Sequence, residues 1–164
     1  MIPAADYGDR IEEDTFAASV ECLLKCLDPS APYAVLGEQI SQSVSLIETA
    51  LVNGGKATYQ VLFDGLKSFF NRVLALSADS IRECESAFTA LASRLLFRDM
   101  EITVETARVK RAQAVDSFAA VCERGTFECG PEWVSTIEGW NAAERSAQVK
   151  RILSEVAGKM VKGG

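Results

Sequence analysis

Side chains able to shuttle protons, attack an electrophile or hold a metal are scarce in this chain. Its 164 residues include no histidine. That removes His-based triads, H-E-x-x-H zinc sites and the Glu-x-x-His di-iron signature of helical bundles. No G-x-x-x-x-G-K-[ST] or G-x-G-x-x-G loop occurs, and Gly54-Gly55 follows no strand and reads as a helix stop. Five cysteines (Cys22, Cys26, Cys84, Cys122, Cys129) remain, an odd number without a C-x-x-C pair. No base is obviously placed to make any of them a thiolate. Cys22, Cys84 and Cys122 lie on or beside apolar stripes, where core filling is expected. Cys129, beside Gly130, is the one expected to be exposed and able to link two chains. Glu83 and Glu85 are two apart on a helix start and point different ways, so they suit the helix dipole better than acid/base work. No cofactor or metal is expected, and an enzyme is disfavoured.

Composition narrows the class further. Hydrophobic residues make up 48% and charged residues 24%, as in an ordinary globular protein. A net charge of −6 argues against nucleic acid as a partner. The cluster Arg108, Lys110 and Arg111 is interrupted by apolar residues and reads as a solvated helix face. The first residues lack the pattern of a signal peptide, and no apolar run reaches the ~18–20 residues of a membrane span. An intracellular, cytoplasmic chain is expected.

The apolar spacing is helical throughout, which predicts an all-α fold. A first helix is expected from about Asp9 to Leu27, ended by Asp28-Pro29. A second follows Pro32 with Leu36, Ile40, Val44, Ile47 and Leu51 inward, and Gly54 or Gly55 takes a left-handed cap. Lys56 to Leu76 carries the strongest stripe: Tyr59, Leu62, Phe63, Leu66, Phe69, Phe70, Val73 and Leu74. Gly65 lies inside it and marks a possible break. Ile81 to Phe97 reads as a buried central helix, with Ser80 and Glu83 as a capping box. A long helix over Ile102–Glu123, closed by Arg124-Gly125, a short one opened by Pro131, and a last one capped by Asn141 and Glu144 complete the series. The expected architecture is a single helical bundle of about seven or eight helices around the central one. It spans 1–164, with 1–8 and 159–164 frayed. No internal repeat is evident.

One stretch is more specific: Glu132-Trp133-Val134, then Ile137-Glu138-Gly139-Trp140-Asn141. Two tryptophans seven apart, the second preceded by Gly, suggest a short helix, a tight turn at Gly139 and a new helix starting at Trp140. This resembles the second homology motif of the B-cell lymphoma two (Bcl-two) apoptosis regulators, and the order of helices is similar too. The resemblance implies a bundle whose surface groove captures the amphipathic death-motif helix of a pro-apoptotic protein. Leu62, Phe63, Leu66, Phe70, Val73 and Phe88 would line that groove, and Trp133, Gly139 and Trp140 would hold the motif. The family's Asn-Trp-Gly-Arg does not match Glu83–Ser86, leaving Arg82 as the nearest substitute for its arginine. The third homology motif is not present. An anchorless survival-type member, in the manner of a virus-encoded mimic, is implied, peripheral at mitochondria through its partner. The alternative is a structural or scaffold bundle that self-associates, with a homodimer possible in either case. Exposure of Phe63, Phe69, Phe70 or Val73 separates the two.

Overall fold

The computed structural model describes residues 4–54, 56–98, 100–128 and 130–163, and their side chains except those of 4–14, 56, 162 and 163. These residues form α1 (Ala4–Cys26), α2 (Tyr33–Asn53), α3 (Lys56–Val73), α4 (Ala78–Glu83), α5 (Glu85–Leu91) with a π-helical turn (Ala92–Leu96), α6 (Glu105–Gly125), α7 (Pro131–Ala143) and α8 (Ala147–Gly163). Among the described residues there is no strand. The all-α class is therefore as the periodicity predicts.

The packing is layered, not centred on one helix. α3 packs on α1 and on α6, and α6 packs on α8, so α1, α3, α6 and α8 make a continuous first layer. The helices between them in sequence form a second layer: α2 lies on α1 and touches α5 and the π turn, α4 lies on α6, and α7 on α8. First-layer helices begin at residues 4, 56, 105 and 147. Each step of about 40–50 residues adds one helical hairpin, close to the repeat length of HEAT and armadillo arrays. The repeat that the residues themselves do not show is plain in the packing.

The stripe on α3 sits at the middle of this stack. Leu62, Phe63, Leu66, Phe69, Phe70 and Val73 are all at 0% exposure, covered by α1 on one flank and α6 on the other. α6 is covered on most sides, and its buried set runs from Ala107 through Val115 and Phe118 to Cys122. A chain of rings crosses the core. Phe88 meets Phe69 at 6.0 Å, Phe69 meets Phe70 at 5.6 Å, and Phe70 meets Phe118 at 5.1 Å. Contacts of this kind, edge-on or tilted, add to the burial of the rings.

Several local expectations change. The stretch Ile81–Phe97 is not one buried central helix. It breaks at Cys84, and its last turn is π-helical, with Ala90, Ser93 and Arg94 exposed. Its cap is Ser77, whose hydroxyl accepts the Ser80 N–H at 3.2 Å, three residues before the expected box. Gly65 does not break α3. A Cβ there would run into Leu24, its Cβ at 3.2 Å, so the glycine lets α1 cross close. Gly54 caps α2 in extended geometry, φ −89°, so it takes no left-handed cap, and Gly55 lies outside the described residues. α6 closes at Gly125 as expected, and Thr126 after it is left-handed, φ 55°. α1 starts at Ala4, α8 reaches Gly163, and Met160 is 2% exposed. No helix of the described residues is long and apolar enough to cross a membrane.

Candidate interaction surface

The groove expected between α3 and the following helices is absent from the surface. Leu62, Phe63, Leu66, Phe70, Val73 and Phe88 have no accessible area, because α1 and α6 close over the stripe. Arg82 is exposed and paired with Asp79 one turn away on α4. The structure therefore brings the six apolar residues together as core and leaves Arg82 apart from them.

The tryptophans are also arranged differently from the expectation. Gly139 makes no turn, and Trp133 and Trp140 share the single helix α7. Seven residues is two helical turns, so both indoles project from one face. That face meets Phe97, which follows directly on the π turn. The Phe97 N–H bonds Ala92 O at 2.9 Å, closing the wide turn that aims the ring. Trp133 lies parallel to Phe97 at 5.3 Å and Trp140 at 6.1 Å. Trp133 also meets Phe118 edge-on at 5.2 Å, which joins α7 to the aromatic chain of the core.

Beside the indoles lies a charged cluster. The Arg111 guanidinium sits 3.9 Å over the Trp140 ring and is 5% exposed. Burial lowers its pKa to about 10, against the attraction of Glu144 and with the repulsion of Arg108, so it remains charged at neutral pH. Glu144 is itself buried. Burial alone would raise its carboxyl, but N–H groups of Ser146 and Arg145 and the Arg108 guanidinium donate to it and hold it below its ordinary value. The Arg108–Glu144 pair spans 2.8 Å. The basic cluster of α6 is thus not a solvated face. Arg111 and Arg108 turn inward to clamp α7 and α8, because an arginine next to an indole and a carboxylate has partners for its charge. Sequence reasoning gave Arg111 to a solvated face and Glu144 to a helix cap, and gave Phe97 no role beyond ending a helix. The spacing of the tryptophans was their one trace.

The surface of the first layer carries a ladder of ion pairs. Across the first layer, Asp64 of α3 pairs with Lys110 of α6, and Asp116 of α6 pairs with Lys159 of α8 at 2.9 Å. Between α1 and α3 a groove floored by Leu24, Val61 and Gly65 is rimmed by Glu21, Lys25, Asp64, Ser68 and Arg72. Arg72 also donates to Leu27 O at 3.0 Å and Leu24 O at 3.2 Å, tying α3 to the last turn of α1. Cys84 and Cys122 are buried as expected, but Cys22 and Cys26 are exposed one turn apart on α1. Cys22 therefore does not fill the core. The Cys22 thiol raises the pKa of Cys26 by hydrogen bonding to it. Cys129, expected to cross-link, lies outside the described residues. Among the described residues no group of three or more His, Cys, Asp or Glu side chains is placed to hold a metal.

The model of a helical-repeat family, "ECM29, C-terminal ARM-like repeats", matches residues 4–159. No curated protein and no solved structure matches the chain. The family match overturns the resemblance to the Bcl-two regulators, and with it the apoptotic role, the death-motif partner and the viral-mimic reading. The two tryptophans produced that resemblance, and they serve a helix-to-layer contact instead. From the first helix to the last, this chain belongs to the family of ECM29 C-terminal ARM-like repeats.

Proposed function

We propose that the chain is a protein-binding segment of a helical-repeat scaffold, without catalysis of its own. The alternation of two helical layers carries this reading. In such arrays each hairpin contacts only its neighbours, and the stack presents long ordered surfaces to other proteins. The ion-pair ladder on the first layer supports it, since paired charges stiffen a face without burying it. So does the groove between α1 and α3, whose apolar floor and charged rim suit a polypeptide segment.

Lysine-directed cross-linking with mass spectrometry tests the proposal in the protein's own cells. Cross-links to one protein partner should cluster at Lys25, Lys67 and Lys110, and Lys25→Glu should reduce them at least tenfold with an unchanged helical spectrum. Cross-links that ignore this face, or their complete absence, overturn the reading.

A further inference from the structure

We propose that Cys22 and Cys26 form a two-thiolate site on α1 for a soft ion of low coordination number, and that its ligand is cuprous copper. Cysteine is among the residues most often buried, and Cys84 and Cys122 follow that habit. Cys22 and Cys26 do not: both are free and exposed, four residues apart on one helix. That spacing sets their Cβ atoms about 5–6 Å apart on the same face. The two thiols lean toward each other, since the Cys22 thiol hydrogen-bonds that of Cys26. Their neighbours along that face, Ala18 and Ser19, are small, and the Ser19 hydroxyl turns back to donate to Thr15 O at 2.9 Å.

The donor count selects the ligand. The chain has no histidine, and the nearby Glu21 carboxylate is held by Lys25 at 2.6 Å. Among the described residues no third His, Cys, Asp or Glu joins the two sulfurs in a metal-holding group. Zinc needs four ligands, and calcium and magnesium need oxygen. Cuprous ion is soft, prefers thiolate and is satisfied by two of them. The stiffness of the turn then favours an ion over a disulfide. A disulfide needs Cβ atoms about 3.5–4.5 Å apart, closer than one helical turn leaves them. Arg72 opposes unwinding of that turn, because it donates to Leu27 O at 3.0 Å and Leu24 O at 3.2 Å. An ion between the sulfurs spans the wider gap with the backbone in place. Binding is proton exchange without redox change: two thiols lose two protons, two copper–sulfur bonds form, and the complex carries one net negative charge. A cation stands beside it. The Lys25 ammonium is held above its ordinary pKa chiefly by its hydrogen bond to Glu21, and Cys22 adds to that.

Anaerobic titration of the full chain with cuprous ion against the chelator bicinchoninate tests the proposal. One ion per chain should be withdrawn from the chelator, with two protons released per ion at pH 7. Cys22→Ser and Cys26→Ser should each weaken binding at least a hundredfold, while Cys129→Ser leaves it unchanged. Positions 22 and 26 are exposed, and the helical spectrum verifies that the variants fold. A tenfold excess of zinc should not displace the ion. Failure of the parent chain to take copper from the chelator overturns the proposal, as does binding that survives either single variant. Displacement by zinc, or a loss at Cys129→Ser, would overturn the count of two sulfurs and the site with it.

Discussion

At one end of the stack, α2 exposes Val35, Leu46 and Val52 among Gln, Ser and Thr, and it has no Lys or Arg along its whole length. At the other, α8 exposes Lys150, Arg151, Glu155 and Lys159, and α7 exposes Glu132 and Glu138. The two ends also attach differently. α1 holds to α3 by plain apolar contact at a glycine crossing and by the Arg72 clamp on its last carbonyls. α7 and α8 hold to the stack through two indoles, a buried arginine and a buried carboxylate. The two helices thus differ in their exposed sides: α8 mixes both signs of charge, whereas α2 shows a single charge, Glu38, among apolar and uncharged polar residues.

The largest effect should come from removing the aromatic contacts that hold α7. Trp140→Ala takes away the ring beneath Arg111 and one of the two indoles stacked on Phe97. The cost should be ~3–5 kcal/mol, combining a lost large side chain with a buried charge deprived of its partner. Urea denaturation measures it. Hydrogen exchange should show amides of α7 and α8 losing protection before those of α2. Equal loss at both ends would break the contrast.

Glu144→Gln should come next. Removing one member of a buried pair costs ~3–5 kcal/mol, but Arg108 keeps about a fifth of its side-chain surface, so about 2 kcal/mol is expected. Acid should act in the same place. Because the folded carboxyl lies below its ordinary value, its contribution is fully present above the unfolded value of about 4.3. It is lost as pH falls through the folded value. Stability measured from pH 7 to 3 should therefore fall less steeply at the acid limb in Glu144→Gln than in the parent chain. Arg111 adds no slope over this range, since its pKa of about 10 keeps it charged throughout.

The class of the fold was legible because apolar spacing alone sets it. The stripes on α2 and α3 lie where periodicity puts them, and Leu36, Ile40, Val44, Leu62 and Phe70 are all buried. The architecture was not legible, because a helix apolar on one side and small on the other fits a bundle centre and a repeat layer equally well. Repeats of unequal length, with a break at Cys84 and a π turn inside one of them, leave no fixed period to detect. The expected surface was lost for the same reason. A wide aromatic stripe is what a helix covered on two flanks needs, and α3 is covered by α1 and α6. The Arg108–Arg111 run misled because charge is read from the sequence without knowing that Trp140 and Glu144 stand opposite.

The smallest effects should come from two glycines, and they should have opposite signs. Gly54 stands where α1, α2 and α3 converge. A Cβ there would lie 2.5 Å from Thr58 Oγ1, 2.7 Å from Ala50 O and 3.2 Å from Phe16 Cβ. Its backbone is extended, so the obstacle is space alone. Two of those neighbours are a carbonyl and a Cβ, which move only with their helices. Gly54→Ala should cost about 1–2 kcal/mol through the shift it forces. Gly158 lies on the exposed side of α8, and a Cβ added there would meet nothing within 4 Å. There the substitution removes unfolded-chain entropy without crowding and should stabilise by up to about 1 kcal/mol. Thermal melts of the two variants should move in opposite directions. A gain at Gly54 would mean that the α1–α2 corner is looser than its contacts imply, and a loss at Gly158 would mean that this side of α8 is not open to solvent.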